Sequence, residues 1–139
     1  MAPGTKGLRM SYQHAVVWLD HLKATVIDFS IDDQHVQFVA SATENRQVHR
    51  KSGPMGSGKA REDHHFFDDV VAAIGNAREI LVCGPGTAKN EFRKDLEKRH
   101  AAVARLVVGV ESADHPSAEQ LLAHARTYFK RYDALKGTV

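Results

Sequence analysis

The chain has 139 residues, 42% hydrophobic and 26% charged, with 19 Lys and Arg against 17 Asp and Glu for a net charge of +2. That length builds one domain whose core needs no metal or disulfide to fold, and no apolar stretch approaches the roughly 20 residues of a membrane span. A charge so near neutrality does not by itself mark a nucleic-acid binder, so the distribution of the charges carries more than their sum.

In chain order, residues 1–10 lack the apolar core of a signal peptide, and Pro3, Gly4 and Gly7 make them read as a disordered leader. The domain is expected over residues 11–135, with 136–139 as a tail. Residues 14–19 (His-Ala-Val-Val-Trp-Leu) are apolar on both faces, as a central strand requires. Asp20-His21 interrupts them. Residues 23–30 alternate, Asp32-Asp33 turns the chain again, and residues 34–41 form a third strand with Val36 and Phe38 on one face. Connections this short force hairpins, so the three strands form an antiparallel meander.

From residue 42 to 61 apolar periodicity disappears. Arg46, Arg50, Lys51, Lys59 and Arg61 stand there against one acid, Glu44, a local charge of +4, and Gly53, Gly56 and Gly58 punctuate the stretch. A loop of about twenty residues inside a compact domain is uncommon and usually functional or disordered. A basic, glycine-rich one suits phosphates, although a merely solvated loop has the same composition. Gly53 to Lys59 nearly spells a phosphate-binding loop, but Ala60 replaces the hydroxyl that would hold magnesium and no buried strand precedes it.

A helix is expected over residues 62–76, where Phe66, Val70 and Ile74 recur at spacing four and Gly75-Asn76 provides the stop. His64 and His65, beside Asp63 and Asp68, invite a metal reading. Adjacent helical residues point about 100° apart, however, and exposed helix-start histidines are the simpler account. Residues 80–83 form a buried strand containing the lone Cys83, which fits a reducing cytoplasm and reads as a small core residue. Gly84-Pro85-Gly86 then turns the chain into a helix capped by Thr87 and running to residue 99, with Phe92 and Leu96 on its apolar face. Such a strand-glycine-helix turn offers backbone N–H groups to an anion, with Lys89 beside them, although any α/β protein is built from turns of this kind. Residues 101–110 are expected as a fifth strand. Ser117 to Gln120 form a capping box, and Leu121, Leu122, Ala125 and Phe129 mark the face of a last helix.

Right-handed crossovers then give a single α/β domain with a five-stranded mixed sheet in the order 3-2-1-4-5, β2 antiparallel to the rest and helices packed on it. The carboxyl ends of the first, third and fourth strands emerge at one edge, which brings Asp20, the basic stretch and the Gly84-to-Lys89 turn together.

The element order also matches the ribonuclease H-like nucleases, in which carboxylates hold two Mg²⁺ ions. Asp20 is the matching acid here, but Cys83-Gly84 stands where a second is usual, and a hairpin role fits Asp20 equally. The meander, the basic glycine-rich stretch, the helix beginning Glu62-Asp63-His64-His65-Phe66-Phe67, and Cys83-Gly84-Pro85-Gly86 with Lys89 and Phe92 together resemble the middle domain of archaeo-eukaryotic peptide-chain release factors and Pelota-like rescue proteins. More closely, the chain resembles bacterial proteins related to those factors and described as translational machinery components. The resemblance covers residues 14–132, and its most specific piece is the Gly-Pro-Gly-x-x-Lys turn.

In that family the loop before the first helix carries Gly-Gly-Gln, whose Gln positions the water that cleaves peptidyl-tRNA. This chain has Gly56-Ser57-Gly58-Lys59 there and no Gln between Gln47 and Gln120. The resemblance therefore implies a cytoplasmic, translation-associated domain that binds the ribosome or tRNA without peptidyl-tRNA hydrolysis, with no catalytic residue, metal or cofactor assigned. Arg46, Arg50, Lys51, Lys59 and Arg61 would pair with phosphates, Gly56 and Gly58 would allow close approach, and Gly84, Gly86 and Lys89 would complete the RNA-binding surface. The alternatives are a metal-dependent nuclease using Asp20 and a protein-interaction module docking a partner through the loop.

Overall fold

The computed structural model describes residues 12–41 and 57–136. Arg46, Arg50, Lys51 and Gly56 lie outside them, as do the leader and most of the tail. The chain forms β1 (His14–Leu19), β2 (Lys23–Phe29), β3 (Gln34–Ala40), α1 (Ser57–Ala73), β4 (Glu79–Gly84), α2 (Ala88–Arg99), the single turn α3 (Ala101–Ala104), β5 (Val107–Ser112) and α4 (Ala118–Lys136). The five strands make one sheet in the order β3-β2-β1-β4-β5. β2 runs antiparallel to β1 and β3, while β1, β4 and β5 run parallel.

Alternation along the central strands builds two cores. Ala15, Val17 and Leu19 of β1, with Val26, Ile80 and Val82, face α1 and α2 through Phe66, Phe67, Val70, Phe92 and Leu96. Val16 and Trp18, with Ile27, Phe29, Leu81 and Cys83, face Leu121, Ala125 and Phe129 of α4. Each large side chain fully withdrawn from water contributes about 1.5 to 3 kcal/mol, so the three-layer sandwich rests on β1 and β4. The capping box at α4 forms as its residue types require: Gln120 N–H donates to Ser117 Oγ at 3.1 Å and Ser117 N–H to Gln120 Oε1 at 2.9 Å.

Three local expectations need correction. The stretch expected as one strand over 101–110 divides into α3 and β5, because alanine-rich residues 101–104 wind on from α2 with His100 as the hinge, and pairing with β4 begins only at Val107. α1 begins at Ser57, five residues before the expected Glu62, so Gly58, Lys59 and Arg61 are helical. Its first two turns contain good helix formers but no apolar residue larger than alanine, and hydrophobic periodicity is blind to such a segment. Thr87 occupies the N-cap position of α2, yet its hydroxyl makes no cap bond; it donates to Glu91 Oε2 at 3.1 Å.

Candidate functional site

The carboxyl edge of the sheet gathers the β1–β2 hairpin, the end of β3, the β4–α2 turn and residues 113–116 after β5. Asp20 shapes the hairpin: its Oδ1 accepts the N–H groups of Leu22 and Lys23 at 2.8 and 3.0 Å. Ser41, leaving β3, donates its N–H to Leu22 O at 2.8 Å, so the path into the basic stretch is fastened to that hairpin.

The glycines of the next turn have different reasons to be there. A Cβ on Gly84 would stand 2.2 Å from the carbonyl oxygen of Leu19, whereas one on Gly86 would meet nothing within 4 Å. Gly84 is therefore required by strand packing, while Gly86 lies open to solvent. Lys89 is buried at 8% exposure, and its ammonium donates to Gly86 O. It sits beneath the turn and braces it. Glu91, in the first turn of α2, accepts from Thr87 and has His21 Nε2 at 3.0 Å from its Oε1. A carboxylate thus already lies near the electropositive start of α2.

α1 and α2 descend from this edge side by side. Asp68 on α1 meets Arg99 on α2, and His64 lies 3.6 Å from Asp95, each pair 31 residues apart in sequence. Gly58, Lys59 and Arg61 belong to the first turns of α1. Arg99 Nε donates to Asp95 Oδ1 at 2.9 Å, and His100 Nε2 lies 2.9 Å from Asp68 Oδ1. The Arg99 guanidinium, and secondarily His100, hold the Asp68 carboxyl below its ordinary pKa against the opposing effect of burial. Asp68, Asp95 and His100 are close enough to share a cation, and Arg99 already supplies the positive charge there. His64 and His65 are exposed and do not converge with Asp68 on one point.

Nothing at this edge assembles a two-metal centre among the described residues. Asp20 Oδ1 is committed to its turn, Oδ2 has His115 at 3.6 Å, and β4 ends in glycine. Cys83 lies fully buried, and its thiol is pushed up to about 12 by burial, with Glu111 adding to the effect. A thiol in that state is no nucleophile.

Sequence reasoning missed the open concavity at this edge. Glu111 to Pro116, Gln120, Leu121 and His124 line a cleft of about 500 Å³. Trp18 holds one wall segment in place, donating its indole N–H to Asp114 O at 2.7 Å, with its ring 5.0 Å from that of His115. The sequence signal for it was Asp114-His115-Pro116, which reads as an ordinary turn.

No family model matches the chain, and no curated protein matches it in sequence. Among solved structures the same fold occurs in the Pelota protein of Thermoplasma acidophilum, with a TM-score of 0.54 and 19% identity over 81% of this chain and 31% of that one. It occurs in the archaeal translation termination factor aRF1, with a TM-score of 0.54 and 15% identity over 90% of this chain and 41% of that one. It also occurs in Dom34 of S. cerevisiae, described as a translation termination-like factor involved in RNA quality control pathways and interacting with Hbs1, with a TM-score of 0.51 and 11% identity over 79% of this chain and 31% of that one. At these identities the likeness is one of fold, and this chain spans less than half the length of each neighbour.

Proposed function

We propose that the chain is a translation-associated RNA-binding domain of the release-factor-like type, acting in the cytoplasm on the ribosome or tRNA. The observation that carries this reading is the parallel course of β3 and β4, which sends the basic stretch and the Gly84-to-Gly86 turn off the same edge of the sheet. Arg46, Arg50, Lys51, Lys59 and Arg61 bind phosphates in this reading. Gly56 and Gly58 admit a backbone at close range, and exposed Gly86 does the same across the edge. Lys89 acts through the turn it braces rather than by reaching outward. Peptidyl-tRNA hydrolysis is not part of the proposal, because the Gly-Gly-Gln sequence that positions water is absent. Likeness of fold to a translation termination factor and a termination-like factor supports the assignment to translation.

Binding of the full chain to purified ribosomes and to tRNA, measured across salt concentrations, tests this. A variant with Arg50, Lys51, Lys59 and Arg61 changed to Ala binds more weakly, and its log–log salt slope is shallower by about 0.7 for each phosphate of single-stranded RNA that it no longer neutralises. Absence of binding by the wild type at low salt overturns the proposal. Binding that is unchanged in the variant removes the basic stretch from the interface and favours a protein partner for it.

A further inference from the structure

At the opposite, amino-terminal edge of the sheet, three potential metal ligands from three elements converge. His14 opens β1 and Glu79 opens β4, and the two are register partners across the parallel pair. Asp133 comes from the last turns of α4. His14 Nε2 lies 3.1 Å from Glu79 Oε1 and 3.3 Å from Asp133 Oδ2, and all three ligand atoms fall within 4.8 Å of one another.

Glu79 is only 8% exposed, and its Oε1 is a buried oxygen that accepts no hydrogen bond, although it points at this cluster. A buried carboxylate oxygen is costly unless a donor or a cation completes it, and the His14 ring nitrogen at 3.1 Å is the group placed either to donate to it or to share an ion with it. Its other oxygen is held by Lys136 Nζ at 2.8 Å, which fixes the carboxylate and leaves Oε1 to the cluster. The His14 ring is fixed as well, with Phe29 and Phe129 at centroid distances of 5.6 and 4.3 Å. Ligand bonds of about 2.0 to 2.2 Å at near-tetrahedral angles place donor atoms about 3.3 to 3.6 Å apart, so the two His14 distances of 3.1 and 3.3 Å need open only slightly to admit an ion.

We propose that His14, Glu79 and Asp133 bind one divalent transition-metal ion, with water in the remaining position; zinc, which takes both imidazole and carboxylate ligands, is the probe. The ion would tie the end of α4 to the starts of β1 and β4, a structural clasp on the far side of the sheet from the basic stretch. The competing arrangement is a protonated His14 shared between two carboxylates with no metal.

The test uses the full chain, stripped with a chelator and titrated with zinc by calorimetry, with thermal melts in parallel. Expected are one zinc per chain, a higher melting temperature with zinc, and loss of about tenfold or more in affinity on Asp133→Asn or Glu79→Gln. Asp68→Asn, at the other carboxylate cluster, leaves zinc affinity unchanged. Asp133 is 36% exposed on its side chain, against 11% for Glu79, so its isosteric amide decides the matter if Glu79→Gln does not fold. The proposal is overturned by absence of saturable one-to-one binding. It is equally overturned if folded Asp133→Asn keeps wild-type affinity, or if Asp68→Asn abolishes binding.

Discussion

Gly84 and Leu19 are in backbone contact: the position a Cβ would take on Gly84 is 2.2 Å from the Leu19 carbonyl oxygen. Neither partner is the end of a flexible side chain, so β1 and the β4–α2 turn would have to separate to admit a methyl group. Gly84→Ala is expected to destabilise the domain by about 1 to 3 kcal/mol, the usual cost of overpacking, read as a lower urea midpoint. Gly86→Ala is expected to leave the midpoint unchanged, since nothing lies within 4 Å of its would-be Cβ. If the RNA-binding proposal holds, the same methyl group weakens ribosome or tRNA binding, and a Gly86→Ala variant with unaltered binding removes that position from the interface.

The Asp68 carboxyl is held below its ordinary value of 3.8 chiefly by the Arg99 hydrogen bond. A depressed carboxylate stabilises the fold above its unfolded pKa, and that contribution is lost as pH falls through the lower folded value. Asp68→Asn is therefore expected to cost stability at neutral pH and to converge with the wild type in acid below about pH 4. Asp68 is 44% exposed on its side chain, so solvent screening keeps the neutral-pH difference to about 1 kcal/mol or less. Urea midpoints across pH check this, and a pH-independent difference would refute it.

Asp28 behaves in the opposite sense. It is 2% exposed on β2, burial raises its pKa, and the Gly75 N–H at 3.1 Å and the charge of His35 only partly offset that. A raised carboxyl favours the fold below the unfolded pKa, and that advantage is lost as pH rises through the folded value. Asp28→Asn keeps the acceptor for Gly75 and removes the buried charge. It is expected to raise the melting temperature at pH 7, with the gain fading as pH falls. A lower melting temperature at pH 7 would show that the charge itself is needed.

Cys83, with its thiol near 12 and no exposed surface, is expected to resist thiol reagents in the folded state at about pH 8 and to react fully in denaturant. Rapid labelling of folded protein would mean that the β4 segment opens readily.

The sheet order was legible because two independent signals agreed. Asp20 and Asp32-Asp33 announced tight hairpins, and the helical segments on either side of residues 80–83 demanded right-handed crossovers. The start of β5 was misplaced, residues 101–104 being helical, since alanine and valine in a short apolar run serve a helix or a half-buried strand equally. At the candidate site, the glycine turn was visible but the placement of Lys89 was not: its sequence position says nothing of whether the ammonium turns out to solvent or back to the Gly86 carbonyl. The Arg99 network with Asp68 and Asp95 required the helices to be set side by side first. Glu79 stands one residue before the apolar run of 80–83 and carries no signal of its own, and only the arrival of α4 makes it part of a cluster with His14 and Asp133.

The position of β1 also sets the order in which the chain is able to fold. β1 meets β2 across the short Asp20 hairpin, but it meets β4 only after the whole of α1 has been laid down. Local pairings close with little loss of chain entropy and distant parallel ones do not, so the meander can assemble early while the second half of the sheet waits on a much longer closure. On that argument the docking of β4 against a strand already half satisfied is expected to limit the rate of folding, with Leu19 and Gly84 brought together late.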